Sequence, residues 1–364
     1  MSFLSRYRRG ATGHVGIAFE DGDVRMLQVR EDNGTLSVTG AAVVKDQMNQ
    51  SQPEVCGDAL RAALVTGGFI GRNCVISIPR SEVWTQAARL PVMPDAEFAE
   101  AVAWECADRF GVERSQLQCD WRYAGQENGD RQEVLMIAVS RQSLDWRLDA
   151  ALSAGLRPVA VDTGFAGVAR LFSRHYRRDA DTSRTRAVLD IGPGAAMLME
   201  LRGDSVAFCM PIPIGGRPLD AQVAQRLDMD QSEACELRQA RLGRTTTLDP
   251  STDGAVAEAV RPILADLSYL AMRCLRHYSV SVRGERPEYM LLSGTEAGEP
   301  GLADMLSATC RVKMMEDDVS GCLASLQAGL TQALPVYPGP VTGWAPVAGL
   351  SLRGLNIRTR RKAA

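Results

Sequence analysis

The sequence predicts a duplicated α/β protein, with two halves of the same element order and a small α+β block inserted into the first half. Three β-prone segments open each half, at residues 12–44 and again at residues 187–213. Each half continues with strand-then-helix units. Residues 85–157 differ in character from both halves, which indicates the insertion.

The composition of the chain excludes several classes of protein. The chain has 364 residues, enough for about two domains, and its 45% hydrophobic and 23% charged residues exclude a disordered protein. A net charge of −3 provides no basic field for nucleic acid. We find no apolar run long enough to span a membrane. The nine cysteines and three histidines are too scattered for a disulfide framework or a metal site, so we expect reduced thiols in a cytoplasmic protein.

The first half is predicted as three strands, a helix and a buried strand. The strands are residues 14–19, 24–29 and 36–44, the helix is 54–64, and the fourth strand is 74–78. The inserted block follows, with a helix over 95–110, strands at 121–123 and 134–139, and a helix over 142–154. A strand at 159–162 and a helix at 165–176 return to the first half, and 177–186 is predicted as a polar link.

The second half opens with the stretch Val-Leu-Asp-Ile-Gly-Pro-Gly-Ala-Ala at residues 188–196. Asp190 ends a strand there, and glycines 192 and 194 follow it, so the stretch has the residue types of one half of a phosphate clamp. An ordinary buried hairpin with a turn aspartate is the alternative reading. Further helices are predicted at 218–227, 231–242, 255–280, 302–306 and 323–333, with strands at 289–292 and 312–315. Two such halves facing each other across a cleft form an actin-like (ribonuclease H-like, duplicated) fold.

Six motifs in order along the chain resemble the PilM family, the actin-like proteins of type IV pilus assembly, including its degenerate members from MSHA-type pili (MshI-like). The motifs are Leu90-Pro91-x-Met93-Pro94, Ala154-Gly155-Leu156-x-Pro158, Asp190-Ile191-Gly192, Ile212-Pro213-Ile214-Gly215-Gly216, Leu291-Leu292-Ser293-Gly294 and Gly349-Leu350-Ser351-Leu352-Arg353. The resemblance implies a first actin-like domain of residues 1–84, 158–186 and 335–357. It also implies an inserted subdomain at 85–157 and a second domain at 187–334, with 213–285 as its outer part.

The resemblance also implies an ATP·Mg²⁺ cleft between the domains. Its cofactor-binding residues would be Asp190, Gly192, Gly194, Gly215, Gly216, Arg238, Ser293 and Gly294. Asp190 would contact the metal, and no catalytic residue is assigned.

Several departures from the family pattern predict that this cleft is degenerate. Ala18 stands where the family has an aspartate that holds a metal-bound water, and acidic residues fill the turn at 20–23. Pro193 replaces an expected hydroxyl residue and removes an N–H donor. Thr295 replaces a glycine of the adenosine motif, and Arg238 replaces a lysine near the adenine.

The resemblance implies a cytoplasmic scaffold, peripheral at the inner membrane, that binds the N-terminal tail of a PilN-like bitopic membrane protein. Pilus motor ATPases are a second implied class of partner. The alternatives are an actin-fold ATPase or small-molecule kinase, and a secretion or cell-division actin homologue. We expect the tail to bind at the inserted block. The residues predicted for that surface are Phe98, Val102, Trp104, Trp121 and Tyr123. The alternative is that these side chains close the core of the block itself, and this is the favoured assignment for Phe98 and Val102.

Overall fold

The computed structural model describes residues 11–20, 22–32, 35–45, 52–124, 130–175, 184–203, 205–242, 248–281, 284–315, 317–334 and 340–355. The strands are Ala11–Thr12 (β1), Val15–Phe19 (β2), Asp23–Asp32 (β3), Thr35–Lys45 (β4), Asn73–Ile78 (β5), Val83–Pro91 (β6), Leu117–Tyr123 (β7), Arg131–Ser140 (β8), Arg157–Thr163 (β9), Thr185–Ile191 (β10), Ala196–Arg202 (β11), Ser205–Ile212 (β12), Tyr289–Ser293 (β13) and Lys313–Met314 (β14). The helices are Pro53–Thr66 (α1), Asp95–Phe110 (α2), Arg141–Ser153 (α3), Gly164–Phe172 (α4), Gly216–Leu227 (α5), Gln231–Leu242 (α6), Pro250–Ser281 (α7), Leu302–Cys310 (α8), Asp317–Ala333 (α9) and Ala345–Ser351 (α10).

Two sheets of the same topology confirm the predicted duplication. The first sheet has the order β4-β3-β2-β5-β9, with β1 added along β3, and the second has the order β12-β11-β10-β13-β14. In both, the first three strands are antiparallel and the last two join them in parallel. A third sheet, β6-β8-β7, belongs to the inserted block.

One hydrophobic core lies between the two large sheets and contains α4, α9 and α10. Helix α10 is buried along its whole length, and it crosses α4 so closely that a Cβ at Gly349 would lie 1.8 Å from the carbonyl oxygen of Gly167. Only glycine allows these two backbones to approach so closely. Asp162 accepts hydrogen bonds from Arg170 at 2.7 Å and from Arg353 at 2.6 Å, which ties the end of this segment to β9.

Two helices pack against the first sheet, although the expected domain boundaries place them in other parts of the protein. Helix α3, expected in the inserted block, packs against α1 on the outer face of the first sheet, through Ala150 and Ala151. Helix α9, expected with the second domain, packs against β4 of the first sheet and buries Leu326 and Leu330 in the central core. An apolar stripe predicts that a helix is covered, but it does not identify the sheet that covers it.

Other boundaries also differ from the predictions. Residues 177–183 of the predicted link lie outside the described residues, whereas Thr185 and Arg186 begin β10 and are buried. Helix α7 begins at Pro250, five residues before its predicted start. Helices α5 and α7 pack into the same core as β10 and β11, so these two helices of the predicted outer part share the core of the second sheet. The division of the chain into domains otherwise stays a prediction.

The inserted block has its own small core between α2 and its three strands. Strand β8 is central, and β6 and β7 are the two edges. None of the helices in the described ranges is both long and apolar enough to cross a membrane.

Glu200 on β11 is a buried acid with no ion pair among the described residues. It is fully buried, and neither of its carboxylate oxygens has a hydrogen-bond partner there. Its cross-strand neighbours are Ala187 and Phe208. Burial raises the pKa of Glu200 well above its usual range, because the charged form has lost its water.

We predict that Glu200→Gln stabilises the protein at high pH and has little effect near pH 4. The folded state holds the Glu200 proton at pH values where the unfolded chain has released it. The free energy of unfolding of the wild type therefore falls as pH rises above the usual glutamate pKa. Glutamine has no such proton, so urea unfolding between pH 4 and 8 should show this fall reduced. The exposed control Glu97→Gln should keep the wild-type profile, and an unchanged profile in Glu200→Gln would contradict the assignment.

Candidate functional site: the cleft between the two halves

The cleft is built where strands from both halves end. Asp190 lies at the end of β10, and Arg80 follows β5 in a short 3-10 turn. The Arg80 Nη2 atom is 2.9 Å from Asp190 Oδ2 and 3.6 Å from Glu20 Oε1. All three side chains are largely buried, so the ion pair joins the two halves away from bulk water.

Burial raises the pKa of the Asp190 carboxyl, while the positive charges of Arg80 and Arg25 act in the opposite direction and Glu20 adds to the rise. The Arg80 guanidinium also covers Gly192, where an added Cβ would lie 2.4 Å from Arg80 Nη1. A larger residue at this position would have to displace the guanidinium. The strand-end carboxylate faces a cation supplied by the protein itself.

The two glycine-rich turns are hydrogen-bonded to each other. The N–H of Gly216 donates to the carbonyl oxygen of Gly192 at 3.0 Å, and the N–H of Arg217 donates to that of Pro193 at 2.8 Å. The Gly192 N–H donates to Ala195 at 3.0 Å. A Cβ at Gly215 would lie 2.4 Å from the Gly192 oxygen, so the turns pack backbone against backbone. These three backbone donors are used within the protein.

Arg238 lies at the centre of a buried ionic cluster. Its Nη2 atom is 2.7 Å from Glu296 and 2.8 Å from Glu299, and its Nη1 atom pairs with Asp220. The side chain is fully buried. The Glu296 carboxylate also occupies the space beside Gly216, where a Cβ would be 2.7 Å from it.

The adenosine-motif residues are held against the C-terminal segment. Gly294 has a φ of +94°, and its N–H donates to the carbonyl oxygen of Thr342 at 3.2 Å. The Thr342 hydroxyl donates in return to the carbonyl oxygen of Gly294 at 2.8 Å. The buried Ser293 hydroxyl is 3.5 Å from the carbonyl oxygen of Thr342.

The structure brings most of the predicted cofactor residues to one place. Asp190, Gly192, Gly215 and Gly216 meet at the two turns, Gly194 lies in the first of them, and Ser293 pairs with Asp190 across β10 and β13. Arg238 does not line open space, because carboxylates enclose it. In the part of the chain that the structure describes, no group of three or more His, Cys, Asp or Glu side chains could hold a metal ion.

Sequence reasoning missed Arg80 and Arg25. Arg80 follows the end of the parallel strand β5, the edge of an α/β sheet where site residues gather, and that position is the signal that could have identified it. Arg25 lies opposite Ala18 in the β2–β3 pair, and its Nη1 donates to the carbonyl oxygen of Gly343 at 2.5 Å.

The residues predicted to bind a partner divide into two sets. Phe98 and Val102 are fully buried in the core of the inserted block, which agrees with the alternative assignment and removes them from the predicted contact residues. Trp104 and Tyr123 keep 62% and 51% of their surface exposed, and Trp121 is partly buried. The Phe98 ring supports Trp121 and Tyr123 at centroid distances of 5.4 and 6.0 Å.

We predict that Arg80→Ala costs about 3 kcal/mol or more of unfolding free energy, because it leaves the buried Asp190 carboxylate uncompensated. The double variant Arg80→Ala/Asp190→Asn should regain most of this loss. Urea unfolding of both variants measures the coupling free energy between Arg80 and Asp190.

The control is Arg226→Ala, which breaks the exposed pair with Glu258 at 2.9 Å and should cost less than about 1 kcal/mol. A loss that small in Arg80→Ala would show that the cleft pair is no more than a surface contact.

Comparison with known proteins identifies the fold and the family of the chain. The family described as type IV pilus assembly protein PilM matches residues 16–323. A search of curated proteins found no match. Among solved structures, the chain is similar to one described as the PilM–PilN type IV pilus biogenesis complex, with a TM-score of 0.75 and 22% identity, covering 94% of this chain and 98% of that chain.

Two further structures share the fold at lower similarity. The ethanolamine utilization protein EutJ from Carboxydothermus hydrogenoformans aligns with a TM-score of 0.54 and 13% identity, over 96% of this chain and 92% of that chain. MreB5 of Spiroplasma citri bound to AMPPNP aligns with a TM-score of 0.50 and 9% identity, over 89% and 97%. The predicted actin-like fold is confirmed. The chain belongs to the PilM family of type IV pilus assembly proteins.

Proposed function

We propose that this chain is a scaffold of type IV pilus biogenesis that binds the N-terminal cytoplasmic tail of a PilN-like bitopic inner-membrane protein. That partner would hold it at the inner membrane. The observation that carries the proposal is the family match over residues 16–323, together with the likeness to the PilM–PilN complex along 94% of the chain. We further propose that its cleft is degenerate and that the scaffold works without ATP.

The inserted block is the proposed tail surface. Among the described residues, both β6 and β7 pair only with β8, but β6 is partly covered by the second half. The Thr85 hydroxyl donates to the carbonyl oxygen of Cys209 at 3.1 Å, and Ala87 packs with Phe208 and Tyr278. Strand β7 is therefore the edge better suited to pair with the backbone of an extended peptide.

The exposed aromatic side chains lie on and beside this edge. Tyr123 and Trp121 belong to β7, and Trp104 projects from α2, where Arg114 stacks on its ring at 5.3 Å. Aromatic rings held in place by their neighbours make good anchors, because they lose little conformational freedom on binding. The tail would pair with β7 and place apolar side chains against these rings.

The charges of the cleft support the loss of Mg²⁺·ATP binding. Ala18, in place of a metal-holding aspartate, lies opposite Arg25, and Arg80 pairs with Asp190. Both arginines act on the Asp190 carboxyl, so in this proposal the protein's own cations replace the metal at that carboxylate. A hydrated Mg²⁺ would have to displace the Arg80 pair, and the triphosphate would lack the turn donors already used internally. An ATPase or kinase needs that metal site and a base, which these residues do not provide.

We predict that the protein neither binds nor hydrolyses Mg²⁺·ATP. Isothermal titration with about 1 mM nucleotide should give no binding heat, and phosphate release should stay at background, because Arg80 already neutralises Asp190. An actin-like ATPase serves as the positive control. Phosphate release that disappears in Asp190→Asn would overturn this part of the proposal.

We predict that Tyr123→Ala and Trp104→Ala each weaken binding of the tail about tenfold, as expected for the loss of an aromatic anchor. The probe is a synthetic peptide of the N-terminal residues of the PilN-like protein from the same organism, followed by fluorescence anisotropy. Tyr269→Ala is the matched control, because Tyr269 on α7 is 54% exposed but lies in the other half. Equal losses in all three variants would contradict the proposed surface.

A deletion tests the same surface as a unit. Val83 and Val139 are cross-strand partners at the base of the block, so residues 84–138 can be replaced by a two-residue turn. This design keeps α3, which packs on the first sheet. The shortened protein should unfold cooperatively and bind no tail peptide, and retained binding would place the tail site elsewhere.

A further inference from the structure

Helix α2 and strand β7 each direct one cysteine into the core that they share. Cys106 follows Phe98 and Val102 at four-residue spacing on the buried face of α2, and it is fully buried. Cys119 lies opposite Ala138 in the β7–β8 pair, and Ala138 belongs to that core. Cross-strand partners share a face of the sheet, so Cys119 faces α2. Both are free thiols, and side-chain hydrogen bonding between them shifts the pKa of each.

We propose that Cys106 and Cys119 form a reversible dithiol–disulfide pair that is oxidised by a low-molecular-weight disulfide and covalently joins α2 to β7. The two cysteines come from different elements and face each other across one small core, so closing the bond requires no exchange of partners. The oxidant is a compound of the glutathione disulfide class. In a reducing compartment such a bond is transient, which suits a regulatory role.

The two thiols have different roles in this chemistry. Cys119 is partly exposed and can meet the oxidant, whereas Cys106 is enclosed. The hydrogen bond with Cys106 lowers the pKa of Cys119, burial opposes this effect, and the positive charges of Arg141 and Arg114 add to the lowering. The same hydrogen bond and burial raise the pKa of Cys106. Cys119 is therefore the attacking thiolate.

The reaction balances without any other reactant. The Cys119 thiolate attacks one sulfur of the small disulfide, and one small thiolate leaves as a mixed disulfide forms. Cys106 then gives up its proton and attacks the Cys119 sulfur, which expels the second small thiolate. Two protein thiols and one small disulfide become one protein disulfide and two small thiols.

The bond would connect the two elements that present the exposed aromatic residues. Trp104 precedes Cys106 by two positions on α2, and Tyr123 follows Cys119 by four on β7. Oxidation would fix these rings relative to each other, so the redox state would act on the tail surface. This consequence rests on the proposed function, but the disulfide itself does not.

The test uses the full-length protein in glutathione buffers of graded oxidised-to-reduced ratio. After free thiols are blocked with N-ethylmaleimide, tryptic digestion should yield peptide 90–109 linked to peptide 115–122. Dithiothreitol should remove the link. Cys106→Ala should instead accumulate a glutathione adduct on Cys119. Absence of the linked peptides in fully oxidised glutathione would overturn the proposal.

Cys235 provides an internal control, because it is also partly exposed but burial and Asp220 raise its pKa to about 11. At pH 7 Cys119 should react with iodoacetamide at least about tenfold faster than Cys235, and equal rates would contradict its role as the attacking thiol. Tail-peptide binding is measured separately on the reduced and oxidised protein. Linked peptides without any tail binding would contradict the proposed function and leave the disulfide standing.

Discussion

Burial of the C-terminal helix α10 between the two large sheets is the packing interaction on which the rest of the structure depends. The helix contacts β2, β3 and β5 of the first sheet and crosses α4 at backbone distance. Trp344, immediately before it, is fully buried and lies under the Arg25 guanidinium. The last described segment thus completes a core that begins with the first strands, and the cleft residues Arg25 and Thr342 take their positions from it.

Charged groups in the cleft are neutralised within the protein. Arg80 meets Asp190 and Glu20, and Arg238 meets three carboxylates, with Arg241 adding a second cation on Glu299 at 2.7 Å. Buried ions of this kind add little net stability, but loss of one partner leaves a costly charge. This internal pairing of charges is one of the observations behind the proposed scaffold.

The inserted block differs from the cleft, because it leaves backbone groups and aromatic rings exposed. Its own core is small, both of its edge strands pair only with β8 among the described residues, and two of its aromatic rings are largely exposed. Surfaces with free backbone groups and supported aromatic rings favour peptide recognition, because backbone pairing and ring burial are gained together. In the proposed function the two large halves form the frame, and the block supplies the surface that binds the tail.

Most strands and helices, the duplication and the position of Asp190 at a strand end could be predicted from the sequence, but strand β6 and helix α10 were not predicted. Local patterns determine these features: alternating apolar residues, and glycines 192, 194, 215 and 216 at turns. The motifs also indicated the family, and Ala18 already suggested a changed cleft.

Only the tertiary structure decided which groups meet. It placed Arg80 on Asp190 across 110 positions of sequence and enclosed Arg238 in carboxylates. It also assigned α3 and α9 to the first sheet. Phe98 and Trp104 lie six residues apart on one helix, yet one is core and the other is surface, because the strands of the block cover only one face. Hydrophobic periodicity says that a face is buried, whereas the partner on that face depends on contacts between residues far apart in the chain.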